Sequence, residues 1–325
     1  MASDADEFVI DYWVTGACDM ECPFCYGARR PVSKTIRRKD GKKKEIREYV
    51  PSEETIALTN STAARPEMRL EQAKYVLEKL HRVGARTISI GGGEPLVRTD
   101  ISEIIHFARS LGALVYLSTN GTYLMRRYSD FETAIDVLGL PLDGPTVEVN
   151  ARMGRRSYLL ANVEEILRYF KCHPPIHLVR VGTVLSKVNA QDMMAIGNFL
   201  FRNSAIRAPD VWRIYQFERI GRGRSNQELY KISDAEFNDI CRSLIAAFPQ
   251  ANIRPRSNAA HKDAYFFVTP DGVLQIVDET HHISIADLLT VDQNHLVNLL
   301  SLHSHTSIKA NLNRDWLDDH IRYLR

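Results

Sequence analysis

The chain has 325 residues, 44% of them hydrophobic and 25% charged, with a formal net charge of +2. That length accommodates one large α/β domain or two smaller ones, and the composition is that of a globular protein, not a disordered or fibrous one. No apolar run approaches the roughly 18 residues of a membrane span. The acidic start Met1-Ala-Ser-Asp-Ala-Asp-Glu7 lacks the apolar core of a secretion signal, and a charge this close to zero gives no reason to expect a nucleic-acid partner.

In chain order, the apolar run 8–14 reads as a strand. Three cysteines follow within eight residues, Cys18-Asp-Met-Glu-Cys22-Pro-Phe-Cys25. Three thiolates this close can hold three corners of an iron–sulfur cluster. No cysteine at similar spacing offers a fourth corner, so one iron is left open to another ligand, much as a catalytic zinc keeps an open position. A structural zinc would want a fourth Cys or His nearby, and a disulfide would strand one thiol. Cysteines serving as small core hydrophobes would not be expected three together, flanked by charge. The remaining cysteines, Cys172 and Cys241, are isolated, which suits a reducing cytoplasm.

Residues 29–50 hold Arg29, Arg30, Lys34, Arg37, Arg38, Lys39, Lys42, Lys43, Lys44 and Arg47. They read as a basic loop or a hairpin turning at Asp40-Gly41. Either it is a solvated insertion, or it is a flap that meets an anionic substrate or a partner protein. Strands are then expected at 87–91, 113–118, 134–140, 177–185 and 211–217. Helical patterns fall at 68–84, 101–111, 160–170, 190–202 and 233–247, and 121–133 is less clearly helical. Repeated strand–helix units imply parallel strands with helical crossovers, and six of them suit an open, partial barrel. Its active site is expected at the C-terminal strand ends. Residues 264–277 read as a hairpin around Pro270-Asp-Gly272, and a last helical pattern lies near 313–324.

Chemistry-bearing residues cluster at those strand ends. Gly91-Gly92-Gly93-Glu94-Pro95 follows the second strand, where glycines let a ligand approach the backbone. Ser118-Thr-Asn120-Gly121 ends the third, with hydroxyl and amide groups suited to a sugar diol. Asn189 stands where it would cap the helix beginning near 190. Alternation along 213–218 sends Arg213, Tyr215 and Phe217 to one face and Ile214, Gln216 and Glu218 to the other. Arg213, Arg219, Arg222, Arg254, Arg256 and Lys262 concentrate in the half of the chain that lacks the glycine motif. Charges brought together in this way need an anion or paired carboxylates to offset them.

The cysteine spacing, with Phe24 before the last cysteine, resembles the signature of radical S-adenosylmethionine (SAM) enzymes, and Gly91–Pro95 resembles their Gly-Gly-Glu-Pro motif. The resemblance is to the single-cluster, viperin-like branch. It covers residues 8 to about 220 strongly and 221–278 loosely. It implies a partial (β/α)6 barrel over 1–220, interrupted by the 29–50 insertion, with 221–325 as a short C-terminal extension closing it. It also implies a [4Fe-4S] cluster on Cys18, Cys22 and Cys25 whose open iron is chelated by SAM. By the same resemblance, Gly91, Gly92, Gly93 and Glu94 meet the SAM amino group, Ser118 and Asn120 the ribose, and Ser186, in the stretch 184–189, the nucleoside. An arginine from 148–155 meets the carboxylate; Arg152 and Arg155 compete, and Arg155 is favoured because it follows Gly154. Arg213, Tyr215, Lys262 and Tyr265 are the residues expected to meet substrate.

The implied activity is reductive cleavage of SAM to a 5′-deoxyadenosyl radical that abstracts hydrogen from a small molecule, anionic and nucleotide-like. Electrons would come from a donor such as flavodoxin or ferredoxin. Peptide or natural-product modification, and a non-catalytic sensor, are the alternatives. Pro141 where relatives often have Ser, Tyr26 where viperins usually have Phe, and the basic insertion depart from the viperin pattern. With Cys241 alone beyond Cys172, no cysteine-rich auxiliary domain is available.

Overall fold

The computed structural model describes residues 8–27, 32–37, 43–49, 63–258, 266–278 and 281–303. Lys262, Tyr265, the turn at Asp40-Gly41 and the helical pattern near 313–324 lie outside the described residues. The chain divides into two compact units, each discontinuous in sequence. One contains residues 1–17, 29–115 and 262–325; the other contains 18–28 and 116–261.

In the first unit, β1 (Phe8–Thr15) is rich in β-branched and aromatic residues and is buried along nearly its whole length. It runs parallel to β5 (Ala85–Gly92) on one side and to β11 (Phe266–Val268) on the other. Antiparallel β12 (Val273–Asp278) and β13 (His281–Asp287) extend the sheet beyond β11. Burial on both faces explains why β1 and β5 read as continuous apolar runs instead of alternating ones. Helices Leu70–Arg82 and Ile101–Ser110 pack together, burying Val76, Leu77 and Leu80 from one and Ile101, Ile104 and Ile105 from the other. The basic segment forms its own antiparallel sheet of β2 (Val32–Arg37), β3 (Lys43–Tyr49) and the short β4 (Arg65–Pro66). A salt bridge from Arg65 to Asp287, 3.1 Å, ties β4 to the end of β13.

In the second unit, β6 (Leu114–Ser118, its residues from Tyr116 onward), β7 (Val137–Pro141), β8 (Leu178–Leu185), β9 (Val211–Gln216) and β10 (Ile253–Arg256) are parallel neighbours in that order. Helices Leu159–Cys172, Met193–Arg202 and Asp234–Ala247 supply the crossovers. The last begins at a capping box, Ser233 and Glu236, each satisfying the other's backbone N–H.

All six expected core strands are present. The structure corrects one local expectation: Asn189 makes no side-chain cap, and the helix there opens as a 3-10 turn, Ala190–Asp192. The segment 121–133 resolves into two short turns, Leu124–Arg127 and Tyr128–Asp130. Elements that were not expected include β4, β10, β13 and the helices Val147–Arg152 and Gln293–His303. Among the described residues no helix is long and apolar enough to cross a membrane.

Candidate active site

The cysteine loop belongs to the second unit, and segments far away in sequence seat it. Cys25 N–H donates to Cys22 O, 3.2 Å, closing a turn through Pro23-Phe24. Arg222 N–H donates to Cys25 O at 3.0 Å, and Asn226 Nδ2 to Pro23 O at 3.1 Å. Gly221 has φ +57°, and a Cβ there would collide with Tyr26 O and lie 2.8 Å from Cys25 O. Only glycine serves at that point, because the φ is left-handed and the neighbour is backbone. Gly154 has φ +83°, and a Cβ there would collide with the Pro23 ring. Phe24 is buried, with its ring 5.5 Å from that of Tyr230.

None of the three cysteines is in a disulfide; Cys22 is buried, and Cys18 and Cys25 are partly exposed. Among the described residues no three or more His, Cys, Asp or Glu side chains stand together as a single-ion site requires. The donor set is three thiols on one loop, which suits a cluster with a cysteine on each of three irons.

Around the loop lies a connected set of polar side chains. Arg155 donates through Nε to Asp143 Oδ2, 2.7 Å, and through Nη1 to Cys22 Sγ, 3.2 Å, with its guanidinium 4.9 Å from the Phe24 ring centre. Burial works against the Arg155 charge, but Cys22 and Asp143 outweigh it and raise the pKa above the usual guanidinium value. Asp143 is fully buried, and its other oxygen accepts from Val184 N–H at 2.7 Å. Arg152 instead points outward to Asp192, 2.7 Å, with its side chain 57% exposed. Asn189 Nδ2 donates to Asp143 O and Val184 O, both 3.0 Å, while its Oδ1 accepts from Ser186 N–H at 2.9 Å. That bridging role replaces the expected cap. Ser186 is fully buried, its hydroxyl against Met153 Sδ and Asn189 Oδ1.

At the tip of β6, Ser118 is exposed and Asn120 buried. The Asn120 amide donates to Asp19 Oδ1, 2.6 Å, and its oxygen accepts from Thr122 N–H, 2.9 Å. Tyr158 donates to the second Asp19 oxygen at 3.1 Å. Asn120 therefore ties the strand tip to the residue after Cys18.

The glycine motif belongs to the first unit. Gly93 N–H donates to Thr15 O, 2.7 Å, and Glu94 N–H to Ala17 O, 2.8 Å. A Cβ on Gly93 would strike Ala17 O. This close approach fixes the backbone that leads directly into Cys18. The buried Glu94 carboxylate accepts from Leu96 N–H at 3.0 Å and shapes the 3-10 turn Pro95–Val97. The 15–17 segment is also held by Glu67, whose Oε1 accepts from the Thr15 hydroxyl at 2.7 Å and from Gly16 N–H at 3.2 Å.

The second unit's sheet carries a row of buried cations beside two phenols, Tyr116 buried and Tyr215 half-buried. Arg180 Nη2 donates to the Tyr116 hydroxyl at 2.7 Å and the Tyr215 hydroxyl at 3.0 Å, spanning β6, β8 and β9. Gly139 on β7 clears the way, since a Cβ there would collide with the Tyr116 hydroxyl. Burial raises the Tyr116 pKa, against the lowering effect of the Arg180 charge. Arg213 shares Tyr215's face by alternation, and Arg256 lies in register with Tyr215. Arg180, Arg213 and Arg256 are each no more than 5% exposed. Arg219 and Arg254 are exposed, so the expected basic group separates into a buried set and a solvated one. Sequence reasoning missed Asp19, Tyr116, Asp143 and Arg180. A charge inside the apolar run Leu178-Val-Arg-Val181 was the available signal for Arg180, because an arginine is seldom buried without a purpose.

The Radical SAM superfamily model matches residues 13–200, more than half of the chain. An S-adenosylmethionine-dependent nucleotide dehydratase of Lacinutrix mariniflava is 25% identical over 268 residues, covering 81% of this chain and 49% of that protein. A second protein of that name, from Flammeovirga pacifica, is 24% identical, covering 71% of this chain and 70% of its own length. An AdoMet-dependent heme synthase of Methanosarcina barkeri is 22% identical, covering 78% of this chain and 62% of its own length. The chain thus spans about half the length of the Lacinutrix protein. Among solved structures, Streptococcus suis SuiB bound to S-adenosylmethionine matches with TM-score 0.65 at 13% identity, over 94% of this chain and 68% of that one. anSMEcpe with bound AdoMet matches with TM-score 0.62 at 13% identity, over 97% and 88%. These likenesses show the fold: mixed α/β with a mainly parallel sheet.

Proposed function

The chain belongs to the radical SAM superfamily, and on that footing we propose that it removes a hydrogen atom from a small, anionic, nucleotide-like substrate. A [4Fe-4S] cluster with SAM, the cofactors of this family, supplies a 5′-deoxyadenosyl radical on one-electron reduction. In this reading Cys18, Cys22 and Cys25 hold the cluster. Gly91, Gly92, Gly93, Glu94, Ser118, Asn120, Arg155 and Ser186 hold the cosubstrate. The electron comes from a low-potential donor of the flavodoxin or ferredoxin type in the cytoplasm. The protein's own contribution is to bind, orient and exclude water.

The observation that carries the substrate class is the buried row of Arg180, Arg213 and Arg256 beside Tyr116 and Tyr215. The planar guanidinium fork of an arginine matches phosphate or carboxylate oxygens. Two relatives named as nucleotide dehydratases support the same class.

The test is anaerobic turnover with dithionite and SAM, following 5′-deoxyadenosine in the presence of nucleotides, neutral metabolites or peptides. A nucleotide should stimulate release and be converted. Arg213→Met and Lys262→Ala should raise KM for it while slow uncoupled SAM cleavage persists. Stimulation by a peptide or neutral metabolite alone would defeat the anionic reading, and no release under any condition would favour the sensor.

A further inference from the structure

We propose that Asp143 and Arg155 act as a pair that places a guanidinium N–H on the Cys22 sulfur and so sets the reduction potential of the cluster; this rests on the cluster reading of the cysteine triplet. Arg155 is fixed from three sides. Asp143 takes its Nε at 2.7 Å, Cys22 Sγ takes Nη1 at 3.2 Å, and the Phe24 ring lies beneath the guanidinium at 4.9 Å. Asp143 is itself immobilised, since it is fully buried and its second oxygen holds Val184 N–H at 2.7 Å. An arginine side chain whose rotamer is locked in this way delivers its donor to one atom instead of sampling several.

The electrostatic consequence has a definite sign. Reduction adds one electron from an external donor and no proton, so the reduced cluster is more negative by one charge. A cation and an N–H donor on a ligating sulfur stabilise that extra charge, and hydrogen bonds to sulfur together with local charge are the levers by which proteins tune such potentials. Burial strengthens the effect, because little water competes at Cys22. Only two of the five N–H donors of Arg155 are committed in this arrangement. A role toward the cosubstrate carboxylate is therefore compatible with the one proposed here, and measurements without SAM isolate the latter.

Asp143 is the positioning member, and its test turns on direction. As a bare negative charge near the cluster it would lower the potential, so Asp143→Asn would raise it. As the residue that holds Arg155 on Cys22, its replacement should lower the potential. Asparagine has one acceptor oxygen where the carboxylate satisfies both Arg155 and Val184.

The experiment is an anaerobic redox titration of the reconstituted full-length protein without SAM, followed by electron paramagnetic resonance of the reduced cluster. Iron content and thermal melting are measured on every variant. Arg155→Gln should shift the midpoint to more negative values, Arg155→Lys by less, and Asp143→Asn in the same direction as Arg155→Gln. Arg152→Gln removes an exposed cation three residues away and should leave the midpoint unchanged. Midpoints equal to wild type in Arg155→Gln and Arg155→Lys, or a higher one in Asp143→Asn, would overturn the proposal. If Arg155→Gln fails to retain iron, Arg155→Lys decides. A wild-type protein that takes up no cluster at all refutes the cofactor reading instead, which keeps the two failures apart.

Discussion

The Tyr49 hydroxyl donates to Glu67 Oε1 at 3.0 Å, the same oxygen that holds Thr15 and Gly16. Tyr49 is the last residue of β3 and is buried, so the inserted basic sheet is anchored on the carboxylate that fixes the backbone before the first cysteine. Burial, reinforced by Glu67, keeps this phenol protonated and donating across the physiological range. Tyr49→Phe should destabilise the protein by about 1.5–3 kcal/mol, the usual value of a hydrogen bond to a charged partner. Glu67→Ala should be worse, since it strands three donors. Denaturant melts of both variants check the order.

Substituting any one of Cys18, Cys22 or Cys25 by Ala should abolish cluster uptake, whereas Cys172→Ala and Cys241→Ala should retain it, as read by iron and sulfide analysis after anaerobic reconstitution. Burial pushes the Cys241 thiol up to about 12, so it should resist iodoacetamide at pH 8 in the native protein. The exposed Cys172 should react.

Two glycines with positive φ separate backbone strain from collision. At Gly112, φ +83°, a Cβ would meet nothing within 4 Å, and Gly112→Ala should cost only about 1–2 kcal/mol for the left-handed conformation. At Gly221 the Cβ would also strike the backbone carbonyls of Cys25 and Tyr26. Gly221→Ala should therefore impair cluster uptake at a temperature where Gly112→Ala is fully loaded.

For the cosubstrate, Arg155→Ala should weaken SAM binding by roughly 1.5–3 kcal/mol, as expected for loss of a charged hydrogen bond. Arg152→Ala, which breaks only an exposed pair with Asp192, should do much less. Equilibrium dialysis with labelled SAM compares them; equal losses would contradict the assignment.

His177 predicts a pH dependence. Burial, foremost, lowers its pKa below the usual 6.5, the Leu178 carbonyl opposes this, and Arg207, Asp210 and Asp136 add smaller effects. Its Nε2 lies 2.7 Å from the Tyr128 hydroxyl. With the folded value depressed, the unfolded chain binds more protons at mildly acid pH. The stabilisation is then complete above about 6.5 and is lost as pH falls below it. The melting temperature of wild type should drop from pH 7 to pH 5 more steeply than that of His177→Gln.

The strands of the core were legible because Phe8–Val14, Thr87–Ile90 and Leu178–Leu185 are dense in β-branched and aromatic residues. The cysteine and glycine motifs were legible because their chemistry depends on local spacing. What escaped depends on long-range partners. Asn189 looked like a helix cap, but the Asp143 carbonyl, 46 residues away, claimed its amide. β10 contains Pro255, which argues against a strand anywhere but an edge, and it pairs in register with β9. β13 opens with His281-His282, and helix Gln293–His303 buries only Leu296 and Leu300, too few for a clear helical period.

The cysteine loop occupies residues 18–28 in a unit whose other members begin at Tyr116, and its seat uses Gly154, Arg155, Gly221, Arg222 and Asn226. A ribosome has released the thiols roughly two hundred residues before it finishes the groups that hold them. Contacts of such separation form late, after the intervening strands have closed over their helices. The seat is therefore complete only once synthesis has passed Asn226. Until then the nascent thiols lack that seat, so yield of active protein should rise with anaerobic expression.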